Sequence, residues 1–218
     1  MATPTAFESQ QPGRGRRSPA KHAAILNAAT EVFLREGYTR ASVDAIAEAA
    51  GVGKQTVYGH FGDKQQLFLA VVEHAHAASS LDRADLITDT GDPEADLTNA
   101  AKWLIRGVTA PEIAALHRLT IAELTHHPEL QRSWRDDERG QSLIGAIAAY
   151  LAACDHSGTL TVPDPTTAAR QFFFLASTEA QVRSLRGIEP LGAGEVNDIA
   201  RDTANLIVRA HQRRPSPA

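Results

Sequence analysis

One cysteine, Cys154, stands among 218 residues, so the chain can form neither an internal disulfide nor a multi-cysteine zinc site. A reducing compartment suits such a chain. Proline is missing from the entire stretch between Pro19 and Pro93, and aromatic residues amount to only 6%. Long apolar runs are lacking too. The longest, the nine residues from Ala146 to Cys154, and the six from Leu67 to Val72 are far short of the roughly 20 residues that span a bilayer. The first residues carry Pro4, Pro12 and Gly13 before Arg14-Gly15-Arg16-Arg17 and offer no apolar segment of a secretory signal. No Gly-rich phosphate loop, HExxH or GxSxG pattern occurs. A disulfide scaffold and a transmembrane helix are thereby excluded, and the expectation is a cytoplasmic protein with no membrane partner, cofactor or metal.

What the chain does contain is ordinary for a globular protein: 43% hydrophobic and 22% charged residues, with 22 Lys plus Arg against 26 Asp plus Glu for a net charge of −4. At this length about 70% of the unfolded chain's surface can be buried. Alanine occurs 38 times and no sustained strand alternation is found, which predicts an all-α fold. Charge is unevenly spread. Residues 1–64 hold 8 basic and 6 acidic side chains, whereas 65–218 hold 14 and 20. A slightly basic head on an acidic body hints at an anionic partner for the head.

Residues 1–17, polar and aperiodic, read as a disordered basic arm, and 213–218 as a flexible tail. Between them, Ser18 is the expected N-cap of a first helix with Pro19 at its first position, ended by Gly37 in a left-handed conformation. Ser42 caps a short second helix with Asp44 in its first turn. Gly51-Val52-Gly53 breaks the chain, and Lys54–Phe61 allows only about two turns, anchored by Val57 and Phe61. Asp63 with Gln66 resembles a capping box opening a longer helix with Leu67, Val71, His74, Ala75 and Ala78 along one side. Residues 79–92 read as a connection into a second helical body. There Pro93, Pro111 and Pro128 mark helix starts, and Ser157-Gly158 marks a helix end. A helix follows Pro163-Asp164-Pro165 through three phenylalanines to about Arg186, and a last one follows Gly192–Gly194 with the stripe Val196, Ile199, Ala200, Thr203, Ile207, Ala210.

Two short helices joined by a Gly-containing turn, the second too short to serve as an independent core element, have the form of a helix-turn-helix. The positions of that second helix away from Val57 and Phe61 are Lys54, Gln55, Thr56, Tyr58 and His60. Glutamine pairs with adenine edges, a threonine methyl meets a thymine methyl, and lysine reaches guanine or phosphate. Tyr58, His60 and Lys64, toward the C-terminal end, suit contacts to the DNA backbone. Arg14, Arg16 and Arg17 leave two readings open, a contact to phosphates or the minor groove and a solubilising tail.

The run from Thr39 to Phe68, with Ile46-Ala47 and Ala50-Gly51-Val52 followed by Tyr58, His60-Phe61, Lys64 and Leu67, resembles the DNA-binding domain of TetR-family transcriptional regulators. The resemblance covers roughly residues 20–70. It implies that Lys54, Gln55, Thr56 and Tyr58 lie in the major groove and that Ser42, Tyr58, His60 and Lys64 are phosphate contacts. Two positions depart from the family pattern: Gly53 stands where serine is usual, and Gly59 removes a side chain from the reading helix. More loosely, Leu119–Glu123 followed by His127–Leu130 is similar to the AefR-like type of C-terminal domain. The implied organisation is a three-helix helix-turn-helix domain over 18–64 and a larger helical ligand-binding and dimerisation domain over 65–212. The implied function is a repressor that binds a palindromic double-stranded DNA operator as a homodimer, paired through its last two helices and released by an unidentified small-molecule effector. An activator, or a regulator without a ligand, could carry the same head.

Candidates for the effector pocket are Trp103, His117, Ile121, Tyr150, Phe172 and Phe173. His117 shares a face with Ile113 and Ile121, a placement that equally suits a hydrogen-bonded core histidine. Three consecutive phenylalanines cover about 200° of a helix, so that helix should be covered on two sides. His74 and His76, two apart, point away from one another and make poor metal ligands. Cys154 and His156 leave a distant alternative, a small helical enzyme with a thiol nucleophile and its base.

Overall fold

A computed structural model describes residues 18–78, 85–127 and 138–212, and these hold nine α-helices and no strand. Helix α1 spans Pro19–Glu36, α2 Val43–Ala49, α3 Lys54–Phe61, α4 Lys64–Ala78, α5 Pro93–Thr109, α6 Pro111–Glu123, α7 Glu138–Ser157, α8 Pro165–Arg183 and α9 Ala193–Ala210. The arm 1–17, the tail 213–218 and the helix start expected at Pro128 lie outside the described residues.

Caps divide the chain as side-chain chemistry dictates. Ser42 Oγ accepts the Ala45 N–H over 3.0 Å, Asp63 Oδ1 the Gln66 N–H over 2.7 Å, and Asp92 Oδ1 the N–H groups of Glu94 and Ala95. Pro19, Pro93, Pro111 and Pro165 open their helices where no N–H is needed. Ser18 sits at the N-cap, but its side chain makes no capping bond. Gly37 ends α1 with the expected positive φ, +81°, although its ψ of 164° lies outside the left-handed helical basin.

Two boundaries differ from the sequence reading. α9 begins at Ala193, with Glu195 Oε2 accepting the Gly192 N–H over 3.0 Å, so Gly194 falls inside the first turn. α8 stops at Arg183 because Leu185, Arg186 and Gly187 all take positive φ, at 47°, 55° and 80°. That turn is held from outside. Arg118 Nη1 on α6 donates to the Arg186 carbonyl over 2.6 Å, and the Gly187 N–H donates to Ser184 Oγ over 2.9 Å.

The buried side chains form two clusters. One gathers Ile25, Val32 and Phe33 of α1, Ile46 of α2, Val57 and Phe61 of α3, Leu67, Phe68 and Val71 of α4, and Ile113 and Leu116 of α6. The other is built from α5, α7, α8 and α9 around Leu97, Leu104, Ile147, Leu151, Phe172 and Ile199, with Leu86 from the preceding connection. At its heart Asp96, 2% exposed, accepts hydrogen bonds from the Thr90 N–H, the Thr90 hydroxyl and the Tyr150 hydroxyl. Burial alone would push this carboxyl up; the bonds from Thr90 and Tyr150 reverse that, and it lies below its ordinary value.

Candidate nucleic-acid interface and ligand cavity

The outer face of the head is polar because its inner face is consumed by packing. On α3, Val57 and Phe61 are buried, and Lys54, Gln55 and Tyr58 are exposed with Thr56 half-buried beside them. Ser42 is exposed at the start of α2. Lys54 Nζ lies 2.9 Å from Asp44 Oδ2, so α2 and α3 are joined by an ion pair on this face, and the bond and the charge of Asp44 raise the lysine's pKa. Gly59 leaves open space on the same surface, where a side chain would meet nothing within 4 Å beyond its chain neighbours and the helix's own backbone.

Two residues expected to face outward are drawn into the protein. The His60 ring lies 5.6 Å from the ring of His22 on α1, which itself stacks on Phe61 at 4.6 Å. Lys64 donates from Nζ to the Thr39 carbonyl over 3.1 Å and sits 4.7 Å above the Tyr38 ring, and burial lowers its pKa. The same α1–α2 turn meets the end of α6. Thr39 Oγ1 donates to Glu123 Oε2 over 2.8 Å and lies 3.1 Å from His127 Nε2, while Tyr38 meets the His127 ring edge-on at 4.7 Å. The sequence reading did not anticipate this junction, because nothing in the spacing of Thr39 and Glu123 signals that they meet.

Between the two cores lies a cavity of about 300 Å³. Trp103, Leu104 and Val108 of α5, Leu143 of α7 and Phe173 of α8 supply apolar wall, and Val72 and His76 reach it from α4 and Ile113 and His117 from α6. Its described lining residues include no Asp, Glu, Lys or Arg. Burial first, then the charges of Arg186 and Arg118, push the pKa of His117 down, so its imidazole is neutral at pH 7.

Of the six residues expected to line a pocket, Trp103, His117 and Phe173 are on this wall. The other three are placed elsewhere. Phe172 is fully buried in the body's core, Tyr150 is held there by its bond to Asp96, and Ile121 is on the outer surface. The three phenylalanines divide as their angles require: Phe172 into the core, Phe173 to the cavity, and Phe174 to the cavity's edge and the outer face. Phe174, Val182 and Leu206 are 54%, 61% and 55% exposed, an unusual apolar surface along α8 and α9.

The enzyme alternative does not survive the geometry. Cys154 is buried in the body's core and burial pushes its thiol up, the opposite of what a nucleophile needs, while His156 is exposed. No helix among the described residues is long and apolar enough to cross a membrane.

Residues 25–71 match the bacterial regulatory proteins of the tetR family, and residues 95–213 match the C-terminal domain of AefR-like transcriptional repressors. A curated relative, the HTH-type transcriptional repressor NicS of Pseudomonas putida, is 36% identical over 100 residues, 46% of this chain and 44% of that protein. The DNA-binding transcriptional repressor TetR of Mycobacteroides abscessus is 32% identical over 136 residues, 62% of each chain. The matched stretches thus span less than two thirds of these relatives. Among solved structures, the flavonoid-responsive regulator FrrA superposes with a TM-score of 0.75 at 25% identity, covering 91% of this chain and all of that one. A crystal structure from Mesorhizobium loti, assigned to the TetR-family transcriptional regulators, superposes with the same TM-score and identity over 90% of this chain and all of its own.

Proposed function

Since the chain belongs to the tetR family of bacterial regulatory proteins, with a C-terminal domain of the AefR-like repressor type, we propose that it is a homodimeric DNA-binding repressor released by a small molecule. The observation that carries this reading is the position of α4 and α6. Each helix contributes to the head's core, through Phe68 and Val71 or Ile113 and Leu116, and each also lines the cavity, through Val72 and His76 or Ile113 and His117. A ligand that moves the cavity wall therefore moves the packing under the reading helix.

In this reading Ser42, Lys54, Gln55, Thr56 and Tyr58 meet the operator, Gln55 and Thr56 reading base edges and the others holding the backbone. Lys64 and His60 act at the rim, after exchanging their internal partners for phosphate. Two protomers pair through the apolar surface of α8 and α9, and their reading helices address half-sites about 34–36 Å apart on a palindrome. Thr39 and Glu123 tie the head to α6 in the conformation described. The ligand acts by population shift, favouring a dimer whose reading helices are wrongly spaced. A coupling of about 1–3 kcal/mol changes DNA affinity roughly 5- to 150-fold.

Selection of bound duplexes from a random pool with the purified protein tests the reading. The expected product is a palindrome with half-sites about one helical turn apart, and Gln55→Ala should relax preference at one position of each half-site. A selected pool without two-fold symmetry, or binding indifferent to Gln55→Ala, Lys54→Ala and Tyr58→Ala together, overturns it.

A further inference from the structure

A polar group on the cavity wall lacks a hydrogen-bond partner among the described residues. Ser177 on α8 lines the cavity, is 5% exposed, and its Oγ has no hydrogen-bond partner among the described residues. A helical hydroxyl normally finds the carbonyl one turn back. Thr30, Thr109 and Thr120 do so here, donating to Leu26, Ile105 and Leu116 over 2.9, 2.7 and 2.8 Å. The corresponding acceptor for Ser177 is the Phe173 carbonyl, and its hydroxyl does not take it. A buried hydroxyl left without a partner is destabilising; a ligand that supplies the partner recovers that loss on binding.

The surroundings define the ligand. Trp103 and Phe173 present aromatic surface, and Phe173 and Phe174 meet edge-to-face at 5.5 Å. Leu104 and Leu143 complete an apolar wall. Among the described lining residues no charged side chain stands ready to pair an ionic ligand, and burying an unpaired charge is strongly unfavourable. Arg118 and Arg186 act on His117 through their charge but do not line the cavity, and Arg118 is engaged with the Arg186 carbonyl. His117, neutral at pH 7, adds an uncharged imidazole to the same wall.

We propose, resting on the effector reading above, that the cavity takes an uncharged ring-bearing molecule with a hydroxyl or carbonyl group, and that Ser177 Oγ hydrogen-bonds this group. The walls recognise the ring, and Ser177 distinguishes an oxygenated ring from a plain hydrocarbon.

Three matched probes test it by isothermal titration of the full-length protein: 2-naphthol, naphthalene and 2-naphthoate. The expected order is 2-naphthol about tenfold tighter than naphthalene, the value of one net hydrogen bond, with 2-naphthoate weaker than 2-naphthol. Ser177→Ala should bring 2-naphthol down to the affinity of naphthalene. Equal affinities for 2-naphthol and naphthalene in the unmodified protein overturn the proposal, as does tighter binding of 2-naphthoate or binding of none of the three. If Ser177→Ala does not fold, the comparison in the unmodified protein decides alone. Operator affinity is measured in parallel: Ser177-dependent binding of 2-naphthol that leaves DNA affinity unchanged upholds the ligand chemistry and overturns the effector reading. DNA binding intact with no probe bound does the reverse to the ligand chemistry and spares the repressor.

Discussion

Tyr150→Phe removes a single oxygen from the body's core and should destabilise the protein by about 2 kcal/mol at neutral pH. The Tyr150 hydroxyl donates to Asp96 Oδ2 over 2.8 Å. Hydrogen bonds to a charged acceptor contribute about 1.5–3 kcal/mol net. Phenylalanine fills nearly the same volume, so little cavity cost is added, and Asp96 keeps both donors of Thr90, at 3.0 and 2.6 Å, which holds the loss to the middle of that range. For a chain of this size the thermal midpoint should fall by roughly 4–8 °C. The pH dependence follows from the depressed pKa of Asp96. A carboxyl with a folded pKa below its unfolded one contributes stability that is present above the unfolded value, near 3.9, and lost as pH falls through the folded value. The difference between Tyr150→Phe and the unmodified protein should therefore be full at pH 7 and shrink below about pH 4. Urea unfolding in steps from pH 7 to pH 3.5 measures it, at one protein concentration because the stability of the proposed dimer would depend on concentration. A penalty under about 0.5 kcal/mol, or one that does not change with pH, would refute the assignment of Asp96 as a charged buried acceptor.

Gly187→Ala should cost about 1–3 kcal/mol in urea unfolding, because φ is +80° and the new Cβ would lie 2.4 Å from the Cβ of Ala114. Gly59→Ala should do the opposite and stabilise by about 0.8–1 kcal/mol, since open space surrounds that position within α3; equal effects of the two would contradict both placements. Asp44→Asn frees Lys54 from its 2.9 Å ion pair and removes a negative charge from the proposed DNA face. Operator affinity in a gel-shift assay should rise at low salt, with the gain fading as salt is added. Val182→Asp with Leu206→Asp places charge on the apolar surface of α8 and α9 and should shift sedimentation from dimer to monomer, with loss of operator binding.

Much of the head could be read from local chemistry. Ser42, Asp63 and Pro19 stand at or beside the helix starts because capping depends on a few neighbouring atoms. Val57 and Phe61 are buried as their spacing requires. The body was less legible where packing between distant segments decides. Phe172 and Tyr150 look like Phe173 in composition and period, yet the cavity faces only the last of them. Asp96 reads as an acidic residue in a first turn and gives no sign of the Thr90 and Tyr150 hydroxyls that bury it. α8 ends about one turn before the expected Arg186, where Leu185, Arg186 and Gly187 take positive φ and Arg118, 68 positions earlier, holds the Arg186 carbonyl, a contact the local sequence does not signal. Ser177 is as hard to read from sequence, since a helical serine gives no sign of whether its hydroxyl takes the carbonyl one turn back.

The membership of α6 in the head's core bears on how such regulators can be recombined. The proposed DNA-binding unit draws its core from segments that are not contiguous in this chain. A graft of residues 18–64 onto another regulator would leave behind Leu67, Phe68 and Val71 of α4 and Ile113 and Leu116 of α6, all buried against the head here. At about 1.5–3 kcal/mol for each large apolar side chain, the transplanted piece loses on the order of 10 kcal/mol of packing, as much as the whole stability of many domains. A hybrid with a changed operator is better made by altering Gln55 and Thr56 in place, or by moving α4 and α6 together with the head they support.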